Sequence, residues 1–122
     1  MERRKIIFKA KKLSDGKWVN GDLLHRVNKT YIYKPHINER GFLVETEAVD
    51  PSTVCQFTGL KDTNDVPIFE GDIIDFGGEG EVVFKDGAFY AKFGKYTECL
   101  LCNLVKSGLS VTIVGNKFDK EK

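Results

Sequence analysis

The sequence predicts a mainly β protein with a small barrel and little helix, and three observations carry that expectation. β-Branched and aromatic residues fall in short runs separated by Gly, Asn and Asp, the punctuation of meandering sheets. No run keeps helical periodicity over three turns, as a core-facing helix would. Asp86-Gly87 stands between two apolar runs and supplies the two positive-φ positions of a type I′ hairpin turn.

Taken in order, the first strand carries Ile6, Phe8 and Ala10 on one face. An Asp15-Gly16 turn would put Leu13 opposite Trp18, yet Leu13 falls on the other phase. A bulge or a longer loop is therefore required between Ala10 and Leu13. Two further strands are expected over residues 18–24 and 30–33, then a mobile, turn-rich loop over 34–41 centred on Pro35 and Asn38. Asp50-Pro51-Ser52-Thr53 has an N-cap followed by proline at the first helical position, which suits one helical or 3₁₀ turn. Residues 54–57 read as extended and 59–67 as a polar connection.

The barrel is expected around residues 68–93. Glu70-Gly71 turns the chain into a strand over 72–76, and Gly77, Gly78 and Gly80 loosen the next connection. A two-residue loop at Asp86-Gly87 fixes the hairpin register as Lys85 with Ala88, Phe84 with Phe89, Val83 with Tyr90 and Val82 with Ala91. Val82, Phe84, Phe89, Ala91 and Phe93 then share the apolar face. The last strand is expected over 111–114, stopped by Gly115-Asn116, with a frayed charged end beyond.

A chain of 122 residues fits one domain, with an N-terminal β region over about residues 1–50 and the barrel region over about 51–118. Nineteen basic side chains nearly balance eighteen acidic ones, so attraction to a polyanion would have to come from a local patch. No apolar run approaches the length of a membrane span, and residues 1–5 lead into an alternating segment without the apolar stretch of a secretory signal. The expected location is the cytoplasm. Cys55, Cys99 and Cys102 form an odd set that argues for reduced thiols over a disulfide framework.

Several short patterns touch on chemistry. Cys99-Leu100-Leu101-Cys102 has the spacing of half a zinc site, but the second half is missing and the intervening leucines suit a core. Asp62-Thr63-Asn64-Asp65 begins like a calcium loop, whereas Val66-Pro67 takes the next ligand and glycine positions, so a capped turn is the better account. Residues 77–80 are glycine-rich, but Glu79 and Glu81 would repel phosphate and no Lys-Ser or Lys-Thr follows. Glu70 and Asp72 serve best as turn residues, and no Ser, His and Asp arrangement is evident. No catalytic, metal-ligating or cofactor-binding residue is assigned. The remaining candidate surface is the basic first strand, with Arg3, Arg4, Lys5 and Lys9 beside Lys11 and Lys12, joined by Trp18, Tyr31 and Tyr33 as stacking surfaces. Lysines on an edge strand also discourage edge-to-edge pairing.

The run Gln56-Phe57-Thr58-Gly59-Leu60-Lys61-Asp62 followed by Ile68-Phe69-Glu70-Gly71-Asp72-Ile73-Ile74 resembles the YopX family of small phage and prophage proteins. Phe8-Lys9-Ala10, the hairpin around Lys85-Asp86-Gly87 and the closing residues 111–116 agree with it in order. One departure is Asn64-Asp65, where family members often have Asn-Gly. The resemblance implies an all-β protein with an SH3-like barrel, encoded by a phage or an integrated element, and no assigned activity. The expectation is a noncatalytic accessory protein binding an unknown phage or host protein, with nucleic-acid binding through the basic first strand as the alternative. Edge strands with Phe42, Phe69 and Tyr96 could support self-association.

Overall fold

The structure, a computed structural model, describes residues 6–38, 41–95 and 97–119. It contains two compact units, Met1–Gln56 and Phe57–Lys122. Both are built from antiparallel strands, and among the described residues no helix is long and apolar enough to cross a membrane.

The first unit contains β1 (Phe8–Lys11), β2 (Trp18–Arg26), β3 (Lys29–Asn38), β4 (Gly41–Val49), a 3₁₀ turn (Pro51–Thr53) and the start of β5 (Cys55–Lys61). These strands lie in the order β4, β3, β2, β1, β5. Ala10, Ile32 and Val49 form the buried centre, with Phe8, Val19, Leu23 and Val54 packed on it. The 3₁₀ turn forms because Asp50 accepts from the Ser52 N–H at 3.0 Å while Pro51 occupies the start of the turn.

The phase conflict after β1 is resolved by a longer loop. Lys11 pairs with Trp18, and Gly16 N–H donates to the Lys12 carbonyl at 2.9 Å. Leu13 thus sits on the loop, 63% exposed, and not opposite Trp18. From that loop the chain also reaches β4, through a single bridge between Lys12 and Val49 flanked by Leu13 N–H to Ala48 O and Asp50 N–H to Lys11 O.

The expected mobile loop over residues 34–41 is instead largely strand. β3 runs on to Asn38 and pairs with β4 residue by residue, from Thr30 with Val49 to Asn38 with Gly41. Pro35 is compatible with this ladder for a reason the pairing supplies. Ala48 and Asp50 direct their backbone groups away from β3, so by alternation the even-numbered residues of β4 and the odd-numbered residues of β3 face outward. The missing Pro35 N–H therefore falls on the side of β3 away from β4, and β2 pairs that side only as far as Tyr33.

The second unit continues β5 into β6 (Pro67–Phe69), followed by β7 (Asp72–Asp75), β8 (Glu79–Lys85), β9 (Ala88–Phe93), β10 (Thr97–Leu100), α1 (Leu101–Val105), β11 (Thr112–Asn116) and a 3₁₀ turn (Lys117–Asp119). Its five-stranded sheet has the order β10, β9, β8, β7, β11. The β8–β9 register is the one the turn dictates, with Lys85 opposite Ala88 and Val82 opposite Ala91. Asp86 and Gly87 take φ values of 51° and 82°, as a type I′ turn requires. Val82 and Ala91 are fully buried with Ile68, Ile74 and Leu101, whereas Phe84 near the hairpin tip stays 52% exposed. Gly80 is needed for space: a Cβ there would lie 2.8 Å from the Phe93 ring.

Two expectations for this unit are corrected. The five-stranded sheet ends in β10 and β11, which do not pair with each other, so it is not a closed barrel. The last strand does not stop at Val114. It continues through Gly115 and Asn116 after a register shift between Ile113 and Gly115, which lets Gly115 pair with Ile73 and Asn116 with Asp72.

Two carboxylates fasten this strand. Asp62 Oδ1 accepts from the N–H groups of Asn64 and Val66, both at 2.9 Å, and Oδ2 accepts from Ile113 N–H at 3.1 Å. Asp72 is 1% exposed. Its Oδ2 accepts from Phe69 N–H at 2.8 Å and its Oδ1 from Asn116 Nδ2 at 2.9 Å. Asn116 Oδ1 in turn accepts from Phe118 N–H at 2.9 Å.

Asp72→Ala leaves the Phe69 N–H and the Asn116 amide without these acceptors in a buried place, and should cost about 2–4 kcal/mol. Urea denaturation reads this as a lower midpoint, and an unchanged midpoint would contradict the role given to the carboxylate. Asp65 is held at φ 66° on an exposed turn. Asp65→Gly should raise stability by about 0.5 kcal/mol, because glycine adopts this conformation without Cβ strain but loses more chain entropy. A lower midpoint for this variant would contradict the strain argument.

Candidate functional site

Strand register gathers part of the expected surface. Lys11 faces Trp18, Lys9 faces Asn20, Leu24 faces Tyr31 and Asp22 faces Tyr33. Alternation along β2 and β3 puts all eight residues on one side of the sheet, the reverse of the side that carries Ala10, Ile32 and Leu23 into the core. Thus Lys9, Trp18, Tyr31 and Tyr33, distant in sequence, share a face because three successive strands pair in this register. Arg3, Arg4 and Lys5 lie outside the described residues.

The face is amphipathic. Lys9, Lys11, Trp18, Leu24, Tyr31 and Tyr33 are half-buried, and Asn20 and Asp22 are exposed. The Lys9 ammonium lies 4.7 Å from the Trp18 ring centroid and that of Lys11 lies 5.4 Å away. A cation over an indole face is attracted by the ring quadrupole, so the tryptophan holds two positive charges close together on the sheet. Asn20, Asp22 and Leu24 were not among the residues expected at this face, because only the strand register places them there. Lys11 was expected as a neighbour in the basic run, without its position over the indole.

Other patterns resolve into structure. Cys99 ends up half-buried on β10 and Cys102 on α1. Burial pushes the Cys99 thiol above its usual pKa, the direction opposite to that of an activated nucleophilic cysteine. The Asp62 to Asp65 cluster forms the capped turn described above, with the carboxylate oxygens of Asp62 spent on backbone N–H groups. Glu70-Gly71-Asp72 is a turn as well: Gly71 N–H donates to Val82 O at 2.8 Å and Gly71 O accepts from Lys117 N–H at 2.9 Å. A cleft of about 340 Å³ is lined by Ile73, Glu79, Val114, Gly115, Asn116 and Asp119.

A scan against protein families matches the YopX protein family over residues 7–121. A search of curated proteins returned no match. Among solved structures, the crystal structure of protein EF1440 from Enterococcus faecalis is similar, with 21% sequence identity and a TM-score of 0.59, covering 93% of this chain and 94% of that one. That likeness speaks to the fold alone. The family match runs from the strand that carries Lys9 to the turn beyond Asn116, through both units, and on that extent the chain belongs to the YopX family.

Proposed function

We propose that this chain is a noncatalytic binding module, a phage- or prophage-encoded accessory protein of the cytoplasm, whose working surface is the outer sheet face of the first unit. The observation that carries this reading is the register that sets Lys9, Lys11, Trp18, Tyr31 and Tyr33 together on the reverse of the core. Aromatic side chains with an apolar body and a polar tip are favoured where a protein must be both wet and adhesive. The best-buried carboxylates, Asp62 and Asp72, are taken up by turn and strand hydrogen bonds, which supports a scaffold role over an acid–base one. The phage setting is the one the YopX resemblance implies, and family membership supports it.

The second unit supports an SH3-like reading. Its meander β7 to β10 is followed by a short helix, after which β11 returns to pair with β7. That order is the order of an SH3-like small barrel, here with an open seam between β10 and β11. Small barrels of this kind bind through loops and exposed side chains, an analogy of fold.

The partner is a phage or host protein in the leading reading. The paired lysines over Trp18 favour single-stranded nucleic acid as the second, since lysine and aromatic groups on one face can track a backbone and stack bases. Trp18→Ala combined with Tyr33→Ala should abolish retention of a specific partner from phage-infected host extract while leaving the circular dichroism unchanged. Equal retention by both proteins would remove the face from the binding role. Lys9→Glu with Lys11→Glu should weaken oligonucleotide binding, and on a single strand the salt slope should fall by about 0.7 for every phosphate that is no longer neutralised. Binding by wild type that is undetectable or independent of salt would exclude nucleic acid.

A further inference from the structure

The β3–β4 ribbon runs past its neighbour. β2 pairs with β3 only as far as Asp22 opposite Tyr33, whereas β3 and β4 stay paired through Lys34 with Glu45 to Asn38 with Gly41. A two-stranded ribbon without a third strand is marginally stable in water. Its two free edges are also not equivalent. The β3 edge is blunted by Pro35, whose missing N–H falls on that side. The β4 edge, in contrast, carries no proline or lysine between Gly41 and Val49, and its only charges are Glu45 and Glu47; proline and lysine are the residues that most strongly protect an edge from pairing. Among the described residues no strand pairs with this edge from Gly41 to Glu47.

We infer that this edge of β4 pairs with the same edge of a second copy, forming a two-fold dimer centred on Val44. The backbone dictates the centre. Asp50 N–H and Ala48 O point away from β3 toward Lys11 and Leu13, so Phe42, Val44 and Thr46 present their N–H and C=O groups on that same side. Pairing about Val44 sets Val44 against Val44 of the copy, and Phe42 against Thr46 in both directions. All six outward groups are then satisfied. Glu45 falls opposite Leu43 and Glu47 opposite Gly41, so no two carboxylates are directly opposed, and the two Glu45 side chains are diagonal neighbours across the two-fold axis. A partner with the identical strand matches every donor with an acceptor, and a two-fold pairing uses up the β4 edge of both copies, leaving the β3 edge that Pro35 blunts. A contact of β3 with β4 of another copy would be open-ended, and Pro35 opposes it.

Analytical ultracentrifugation of the full chain with two variants tests the dimer. Val44→Pro removes one outward N–H and no β3–β4 hydrogen bond, so the sedimenting mass should halve while the circular dichroism spectrum is kept. Val44→Cys places two thiols at directly opposed positions, where Cα atoms of a hydrogen-bonded pair lie about 5.5 Å apart, within disulfide range. Mild oxidation should give a covalent dimer with Val44→Cys and not with wild type or Leu43→Cys. A monomeric wild type, a dimer unaffected by Val44→Pro, or equal cross-linking of the two cysteine variants would each overturn the proposal.

Discussion

The second unit depends on a carboxylate taken almost wholly out of water. Asp72 is 1% exposed, and an isolated charge in that position would be strongly disfavoured. It is tolerated because one oxygen accepts from Phe69 N–H and the other from the Asn116 amide. The first bond closes the Glu70-Gly71 turn and the second reaches 44 residues along the chain to the end of β11. Asp62 does the same for the beginning of that strand, since it caps its own turn and accepts from Ile113 N–H 51 residues away. Each aspartate thus ties a local turn to the one strand that arrives last in sequence. Apolar burial is non-directional and could accept β11 in more than one register. The two carboxylates, with fixed donors at either end of the strand, select one. They also account for the bulge: with Ile113 held by Asp62 and Asn116 by Asp72, β11 carries one more residue than β7 between the two anchors, and Val114 is left outside the ladder.

Much of this second unit was legible because its determinants are local. The Asp86-Gly87 turn fixed a complete register across β8 and β9, and the observed pairs follow it to Val82 with Ala91. In the first unit, Asp50-Pro51 likewise announced a 3₁₀ turn that formed where its capping chemistry lies. What escaped the reading depended on partners far away. Gly115-Asn116 looks like a strand terminator, but Asn116 is held in the strand by Asp72, so a tertiary contact overrode a local signal. Residues 34–41 hold Pro, Asn and Gly and read as a loop, yet proline is harmless on the side of β3 it occupies, and that side is defined only once β4 has paired. The alternation in Phe42 to Val49 is weak because charged residues sit among apolar ones, so β4 itself had no distinct signature.

The candidate surface was legible in its residues and not in its grouping. Lys9, Trp18, Tyr31 and Tyr33 could be named as basic and aromatic, but whether aromatics face core or solvent depends on the phase of each strand. That phase was ambiguous after β1, where Leu13 contradicted Ala10. The loop that carries Leu13 outward settles it, by making Lys11 the partner of Trp18. A shift of one residue there would have turned Trp18 toward Ile32 and emptied the outer face of its indole.

The two features of the first unit therefore come from one geometric decision. Pairing β3 with β4 along their full length commits alternate side chains to alternate faces and alternate backbone groups to alternate edges. The core claims one face through Ile32 and Val49, which leaves Tyr31 and Tyr33 on the other. The ladder claims one edge of β4 through its odd-numbered residues, which leaves Phe42, Val44 and Thr46 to offer theirs outward. On the proposed readings, side-chain chemistry on the outer face and backbone chemistry on the β4 edge act independently, one responsive to charge and aromatic stacking and the other to strand register. A substitution on the face leaves the backbone groups of the edge in place, and a proline on the edge leaves the side chains of the face in place. A β ribbon that is buried on one face and paired on one edge has this separation built in.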